Sequence, residues 1–169
     1  DSGTVLDFGQ NLAGVVRFNV EVPAGTELTL THGEALDAEG NVTLANLAMF
    51  GRTLGQQVRY TSRGGGPETH EPRFTVHGFR YVLLQGWPAE PQPDAFRAVA
   101  IYSDMAETGT FECSCEQINQ LARNTLWSMK GNFLDIPTDC PTRERSGWTG
   151  DAQVFARTGS FWMDTAAFF

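Results

Sequence analysis

Ile136-Pro137-Thr138-Asp139-Cys140-Pro141-Thr142-Arg143-Glu144-Arg145-Ser146-Gly147-Trp148-Thr149-Gly150-Asp151 organises everything around it. From Asp139 onward it packs three carboxylates, two guanidinium groups and one tryptophan into thirteen residues. Pro141, Gly147 and Gly150 prevent it from being one continuous helix. Upstream, Ile118, Leu121, Ala122, Thr125, Leu126, Met129 and Phe133 recur at three- and four-residue steps. That spacing predicts an amphipathic helix with one buried stripe, opened by a capping box of Ser114 and Gln117 and stopped by Pro137. Downstream, a second helix is expected to open at Thr149 or Gly150. Asp151 falls in its first turn, where a carboxylate meets the positive end of the helix dipole. Val154, Phe155, Thr158 and Trp162 continue its apolar side. The charged stretch is thus a loop between two helices, and it reads either as a solvated turn or as the wall of a polar pocket.

Before residue 103 the pattern differs. Val16, Phe18, Val20 and Val22 alternate with Arg17, Asn19 and Glu21, a half-buried strand. Pro23-Ala24-Gly25-Thr26 is turn chemistry, and Leu28 and Leu30 mark the next strand. Residues 33–46 read as loop, with Asp37-Ala38-Glu39-Gly40-Asn41 as a turn. Further strands are expected over 57–61, over 79–84 and near 96–102, separated by Gly64-Gly65-Gly66-Pro67 and Gly86-Trp87-Pro88. Short strands between Gly/Pro turns predict an antiparallel β-sandwich. The change of pattern places a domain boundary near residue 105, with a β domain over 1–105 and a helical region over 106–169.

Composition narrows the partners. The formal charge is −8 with only twelve Lys plus Arg, a poor match for nucleic acid or an anionic lipid surface. No apolar run reaches the roughly 20 residues that cross a membrane. Three cysteines, Cys113, Cys115 and Cys140, show no paired metal-ligand spacing, and their odd number leans toward a reducing, cytoplasmic compartment rather than a secreted one. Gly64-Gly65-Gly66 lacks a following Lys-Ser/Thr, so it is a turn and not a phosphate loop. His32 and Glu34 sit on one side of a strand without a third ligand, which points to hydrogen bonding rather than metal. His70 reads as a solvated turn residue and His77 as structural. The apolar ending Ala166-Ala167-Phe168-Phe169 suggests an excerpt from a longer chain, because natural termini are usually polar.

Carboxylates beside an indole suit a sugar. Carboxylates accept from hydroxyls, an aromatic face covers the C–H side of the ring, and a desolvated carboxyl protonates a glycosidic oxygen. Several stretches resemble the bacterial α-L-rhamnosidase family. Asp7-Phe8-Gly9-Gln10-Asn11, His32-Gly33-Glu34 and Phe74-Thr75-Val76-His77-Gly78-Phe79-Arg80-Tyr81 resemble its β-sandwich domain. Ser103-Asp104 with Thr108-Gly109-Thr110-Phe111 resembles the crossover, and the stretch from Ile136 to Gln153 resembles the active-site signature. The resemblance implies an (α/α)6 barrel that hydrolyses terminal α-L-rhamnose with inversion and without a metal or other cofactor. It implies Glu144 as general acid, and Asp139 and Asp151 as partners of the sugar hydroxyls. Arg143 is the signature arginine, and Trp148 a wall of the sugar pocket. Many members read Pro-Gln-Arg-Asp-Glu-Arg-Leu, one residue longer than Pro141 to Ser146. Glu144 keeps its distance to Trp148 and Asp151 when the two are aligned from the C-terminal side. The family's general base is a glutamate far downstream, so the 169 residues alone are expected to be inactive. One arginine is expected to turn toward an aspartate, leaving Glu144 beside the carboxylates. The implied substrate is a rhamnosylated glycoside or polysaccharide. The competing reading is a β-sandwich that is a non-catalytic carbohydrate-binding or purely structural module.

Overall fold

The computed structural model describes residues 3–48 and 55–169. The chain divides into two compact units, Asp1–Ala100 and Ile101–Phe169.

In the first unit β1 (Thr4–Val20), β2 (Glu27–Gly33), β5 (Gln57–Thr61), β6 (Glu68–His70), β7 (His77–Gln85) and β8 (Phe96–Ala100) form one six-stranded sheet, and β3 (Ala35–Leu36) pairs with β4 (Val42–Thr43). Every pairing is antiparallel. β1 explains the shape. It pairs with β7 from Thr4 to Gly14, with β8 from Gly14 to Phe18 and with β6 from Phe18 to Val20. A straight strand of that length spans about 56 Å, far more than a unit of about 100 residues, with a radius of gyration of about 13 Å, can hold. β1 therefore bends. Its register breaks between Asp7 and Leu12. There the Asp7 carboxylate accepts the Gly9 N–H at 2.8 Å and two bonds from the Arg80 guanidinium at 2.8 Å each. Past the bend the far half of β1 comes within ring contact of β5. The ring of Phe18 meets Tyr60 of β5 at 5.4 Å, His70 of β6 at 5.5 Å and Phe96 of β8 at 6.5 Å. Leu12 to Val16 are buried without alternation, so both faces of the strand are covered there. At Gly14 the neighbouring strand is so close that a Cβ would stand 2.0 Å from the Val99 carbonyl oxygen.

Val16, Phe18, Leu28, Leu30, Phe79, Val82 and Leu84 fill the space between the layers. Each such side chain contributes about 1.5–3 kcal/mol through burial. The alternation over 79–84 marks the strand but not its inward face, since Val82 and Leu84 are buried and Tyr81 and Leu83 only partly so. The stretch 33–46 is not all loop. Asp37 Oδ1 accepts from the N–H groups of Glu39 and Asn41, and the turn it closes draws β3 and β4 together. His70 is not a solvated turn residue, because it lies in β6 with its ring 4.6 Å from Tyr60, and burial lowers its basicity. Glu68 joins the ends of β5 and β6. It accepts from the Tyr60 and Ser62 hydroxyls and from the N–H groups of Arg63 and Gly64, led by the Ser62 bond, and its carboxyl falls to about 2. His32 and His77 stack at 4.4 Å. His32 Nδ1 donates to the Gln56 carbonyl oxygen at 3.0 Å, since a carbonyl only accepts. Burial pushes His32 down to about 4, so it is neutral. Among the described residues no group of three His, Cys, Asp or Glu is placed to hold a metal ion.

The second unit contains α1 (Glu116–Asn132) and α2 (Thr149–Trp162). Its small core is Met105, Met129, Phe133 and Met163. Residues 101–105, which read in sequence as the end of the β region, pack here: the Ser103 N–H donates to the Phe133 carbonyl and Met105 joins the core. The expected capping box does not form. Cys115 is the N-cap without a side-chain bond, and Asn119 instead clasps both the N–H and the carbonyl of Cys113 at 2.9 Å. α1 ends at Asn132, ahead of Pro137. The stripe read along it is buried only at its C-terminal end; Ile118 and Leu121 are 45% and 59% exposed. α2 opens at Thr149, as expected. Its C-terminal end is met by the segment entering α1, where the N–H groups of Thr108 and Gly109 both donate to the Trp162 carbonyl. A Cβ on Gly109 would lie 1.6 Å from the Phe161 carbonyl oxygen, so only glycine fits. Among the described residues no helix is long and apolar enough to cross a membrane.

Candidate active site

The link between α1 and α2 is pinned at its base. Thr138 bridges to Gly147, its N–H donates to the Asn132 carbonyl, and its hydroxyl bonds the Asn132 carbonyl at 3.1 Å and side-chain oxygen at 3.2 Å. Residues 139–146 then form a tight excursion. The Asp139 N–H donates to the Ser146 carbonyl, and the Ser146 N–H returns to Asp139 Oδ1 at 3.3 Å. Within the excursion the Cys140 thiol donates to Asp139 Oδ2 at 3.1 Å, and its sulfur accepts the Glu144 N–H at 3.3 Å. The turn closes through Arg145, whose backbone is left-handed at φ 56° and whose Nε donates to the Thr142 carbonyl at 3.1 Å. A non-glycine residue in that region costs of order 1 kcal/mol or more. The shortness of the turn is what imposes it.

A cavity of about 460 Å³ opens beside this loop. Asp139 and Asp151, twelve positions apart in sequence, both line it, together with Ser128 and Asn132 of α1 and an apolar floor of Met129, Phe133 and Phe155. Burial opposes the charged form of Asp139, but the bonds from the Cys140 thiol and the Ser146 backbone outweigh it and hold the carboxyl below its ordinary range. Asp151 stands exposed in the first turn of α2. Glu144, Arg143 and Trp148 lie outside the residues that line the cavity. Glu144 is partly buried, with Arg143 Nη2 at 3.2 Å from Oε1. The expectation that an arginine leaves Glu144 for an aspartate is corrected for Arg143, which turns to Glu144 itself. Trp148 is the N-cap of α2 and is 50% exposed.

The sequence reading passed over Ser128 and Asn132. They sit four apart on one face of α1, and that spacing next to an apolar stripe was the available signal. Cys140, which shows no metal-ligand spacing in the sequence, bonds two residues of the loop.

Residues 1–102 match the bacterial alpha-L-rhamnosidase concanavalin-like domain, and residues 106–169 match the bacterial alpha-L-rhamnosidase 6 hairpin glycosidase domain. The chain belongs to the bacterial alpha-L-rhamnosidase family. It is similar to an alpha-L-rhamnosidase of Streptomyces avermitilis, with 44% identity over 165 residues, 97% of this chain and 16% of that protein. An alpha-L-rhamnosidase of Formosa agariphila is 36% identical over 170 residues, 100% of this chain and 18% of that protein. Among solved structures, native alpha-L-rhamnosidase from Aspergillus terreus matches with 46% identity and a TM-score of 0.92, over 99% of this chain and 19% of that one. The Streptomyces avermitilis enzyme complexed with L-rhamnose matches with 44% identity and a TM-score of 0.92, over 97% and 16%. The chain thus spans less than a fifth of the length of these rhamnosidase relatives.

Proposed function

We propose that the protein carrying this chain hydrolyses terminal α-L-rhamnosyl bonds of a glycoside or polysaccharide with inversion, and that residues 136–153 supply one side of its sugar site. The observation that carries this reading is that Asp139 and Asp151, on opposite sides of the charged loop, line one cavity. In this reading the two carboxylates accept from sugar hydroxyls and Trp148 covers the apolar side of the ring. Glu144 gives its proton to the departing glycosidic oxygen. The general base is a glutamate outside these residues. In an inverting site it stands about 6.5–9.5 Å from the acid, with the attacking water between them. The apolar residues exposed on the helices, Ile118, Leu121, Val154 and Phe161, support the packing of further hairpins of an (α/α)6 barrel. The β region, ending at Ala100 rather than near residue 105, is a β-sandwich domain with a structural role. No cofactor is required, because two carboxyl groups and water suffice.

The test is Glu144→Gln in the full-length protein. Turnover of an unactivated rhamnoside is expected to fall about a thousandfold, with binding of L-rhamnose retained by calorimetry. Unchanged turnover would overturn the assignment. The 169 residues alone are expected to hydrolyse neither that substrate nor an aryl α-L-rhamnoside, and measurable turnover by them would contradict the need for a distant base.

A further inference from the structure

The Cys140 side chain touches both candidate carboxylate residues of the loop. Its S–H points at Asp139 Oδ2 at 3.1 Å, and its sulfur receives the Glu144 N–H at 3.3 Å. We propose that Cys140 is a positioning residue for hydrolysis, one sulfur that sets the spacing between the sugar-binding carboxylate of Asp139 and the backbone that carries Glu144.

Three features carry this. First, the geometry needs a group that donates and accepts at once, which a neutral thiol does and a methyl does not. Second, the bond to sulfur fixes the backbone of Glu144 at its N–H, while its side chain reaches Arg143 and its carbonyl accepts the Ser146 hydroxyl at 3.4 Å. Third, Cys140 is only partly exposed, unlike Cys113 and Cys115, so its sulfur faces the loop rather than open solvent. The loop is held from its ends by the Asp139–Ser146 backbone bonds and from its centre by this sulfur. The inference rests on the rhamnosidase reading of Asp139 and Glu144 given above.

The experiment compares Cys140→Ala and Cys140→Ser in the full-length protein, with Glu144→Gln and Asp139→Asn alongside. The substrates are an unactivated rhamnoside and an aryl rhamnoside whose leaving group needs little protonation. Cys140→Ala is expected to lose about tenfold in kcat on the unactivated substrate, short of the about 100-fold that a full ångström of misplacement costs. The loss on the aryl substrate should be smaller. Its KM should rise, and the acid limb of kcat/KM should move to higher pH, because Asp139 has lost a donor to its charged form. Serine, which donates and accepts at the same place, should restore most of each. If alanine and serine both match the parent in rate and pH profile, the positioning role is wrong. It is equally wrong if both lose rate together with melting temperature while the pH profile stays put, since that is plain packing. Intact turnover in Glu144→Gln and Asp139→Asn would bring down the reading of the site itself, and the role of Cys140 with it.

Discussion

The two units handle apolar surface in opposite ways. The β unit hides Val16, Phe18, Leu28, Leu30, Phe79, Val82 and Leu84 almost completely and satisfies its buried Glu68 with four donors from its own chain. The helical unit has a core of only four buried residues and leaves Ile118, Leu121, Val154 and Phe161 exposed. Its polar loop is nonetheless held by the bonds between Asp139 and Ser146 and by the Cys140 sulfur. A self-contained core suits a support. A helical pair with bare apolar sides and a fixed polar loop suits one segment of a larger site.

This contrast is breakable. The largest expected effect is on the β side: Phe18→Ala, which empties a fully buried position contacted by four rings, should cost about 4 kcal/mol in urea unfolding. A loss below 1 kcal/mol would mean the layers do not share a core. Next comes acid. His32 sits at about 4 in the fold, below its ordinary value near 6.5, so its contribution is complete above pH 6.5 and is lost as pH falls toward 4. At about 1.4 kcal/mol per pH unit, the β unit should lose about 3 kcal/mol over that window. Glu68 adds a further loss below about pH 4.5, since its carboxyl is depressed to about 2. His32→Gln should be less stable at pH 7 but show a flatter slope between pH 6.5 and 4, and an unchanged slope would assign the titration elsewhere.

On the helical side Asp139→Asn should weaken L-rhamnose binding by the full-length protein by about 2 kcal/mol, the worth of a charged hydrogen bond, with melting temperature nearly unchanged. A fall in stability with intact binding would recast Asp139 as a turn residue. The smallest effect is expected at Leu121→Ser in the 169-residue chain, within about 0.5 kcal/mol, because the side chain is already more than half exposed. A large loss there would show that α1 is covered in this chain after all.

Legibility followed the same divide. Alternation found β5 to the residue and the inner part of β7, because there one face is buried and the other is not. It missed the first half of β1, where the register break between Asp7 and Leu12 interrupts the period, and it missed β6, whose Glu68 and His70 look like turn residues until their partners are known. The second helix was readable from Gly150 and Asp151, the first from its stripe. What covers that stripe was not readable, since periodicity reports a face and not its occupant. At the site, the motif gave residue identities and loop position. The joint lining of one cavity by Asp139 and Asp151, the turn of Arg143 onto Glu144 and the two bonds of the Cys140 sulfur depend on a left-handed residue at Arg145 that no pattern of residue types announces.

β1 pairs in turn with β7, β8 and β6, so one strand ties three others of the sheet together. A protease cut between Leu12 and Val16 would sever the ladders with β7 and β8 at once, while a cut in the Asp37–Asn41 turn would free only a two-stranded ribbon. Amide protons of that crossing stretch should therefore be the last in the β unit to exchange with solvent deuterium, reporting complete unfolding and nothing smaller.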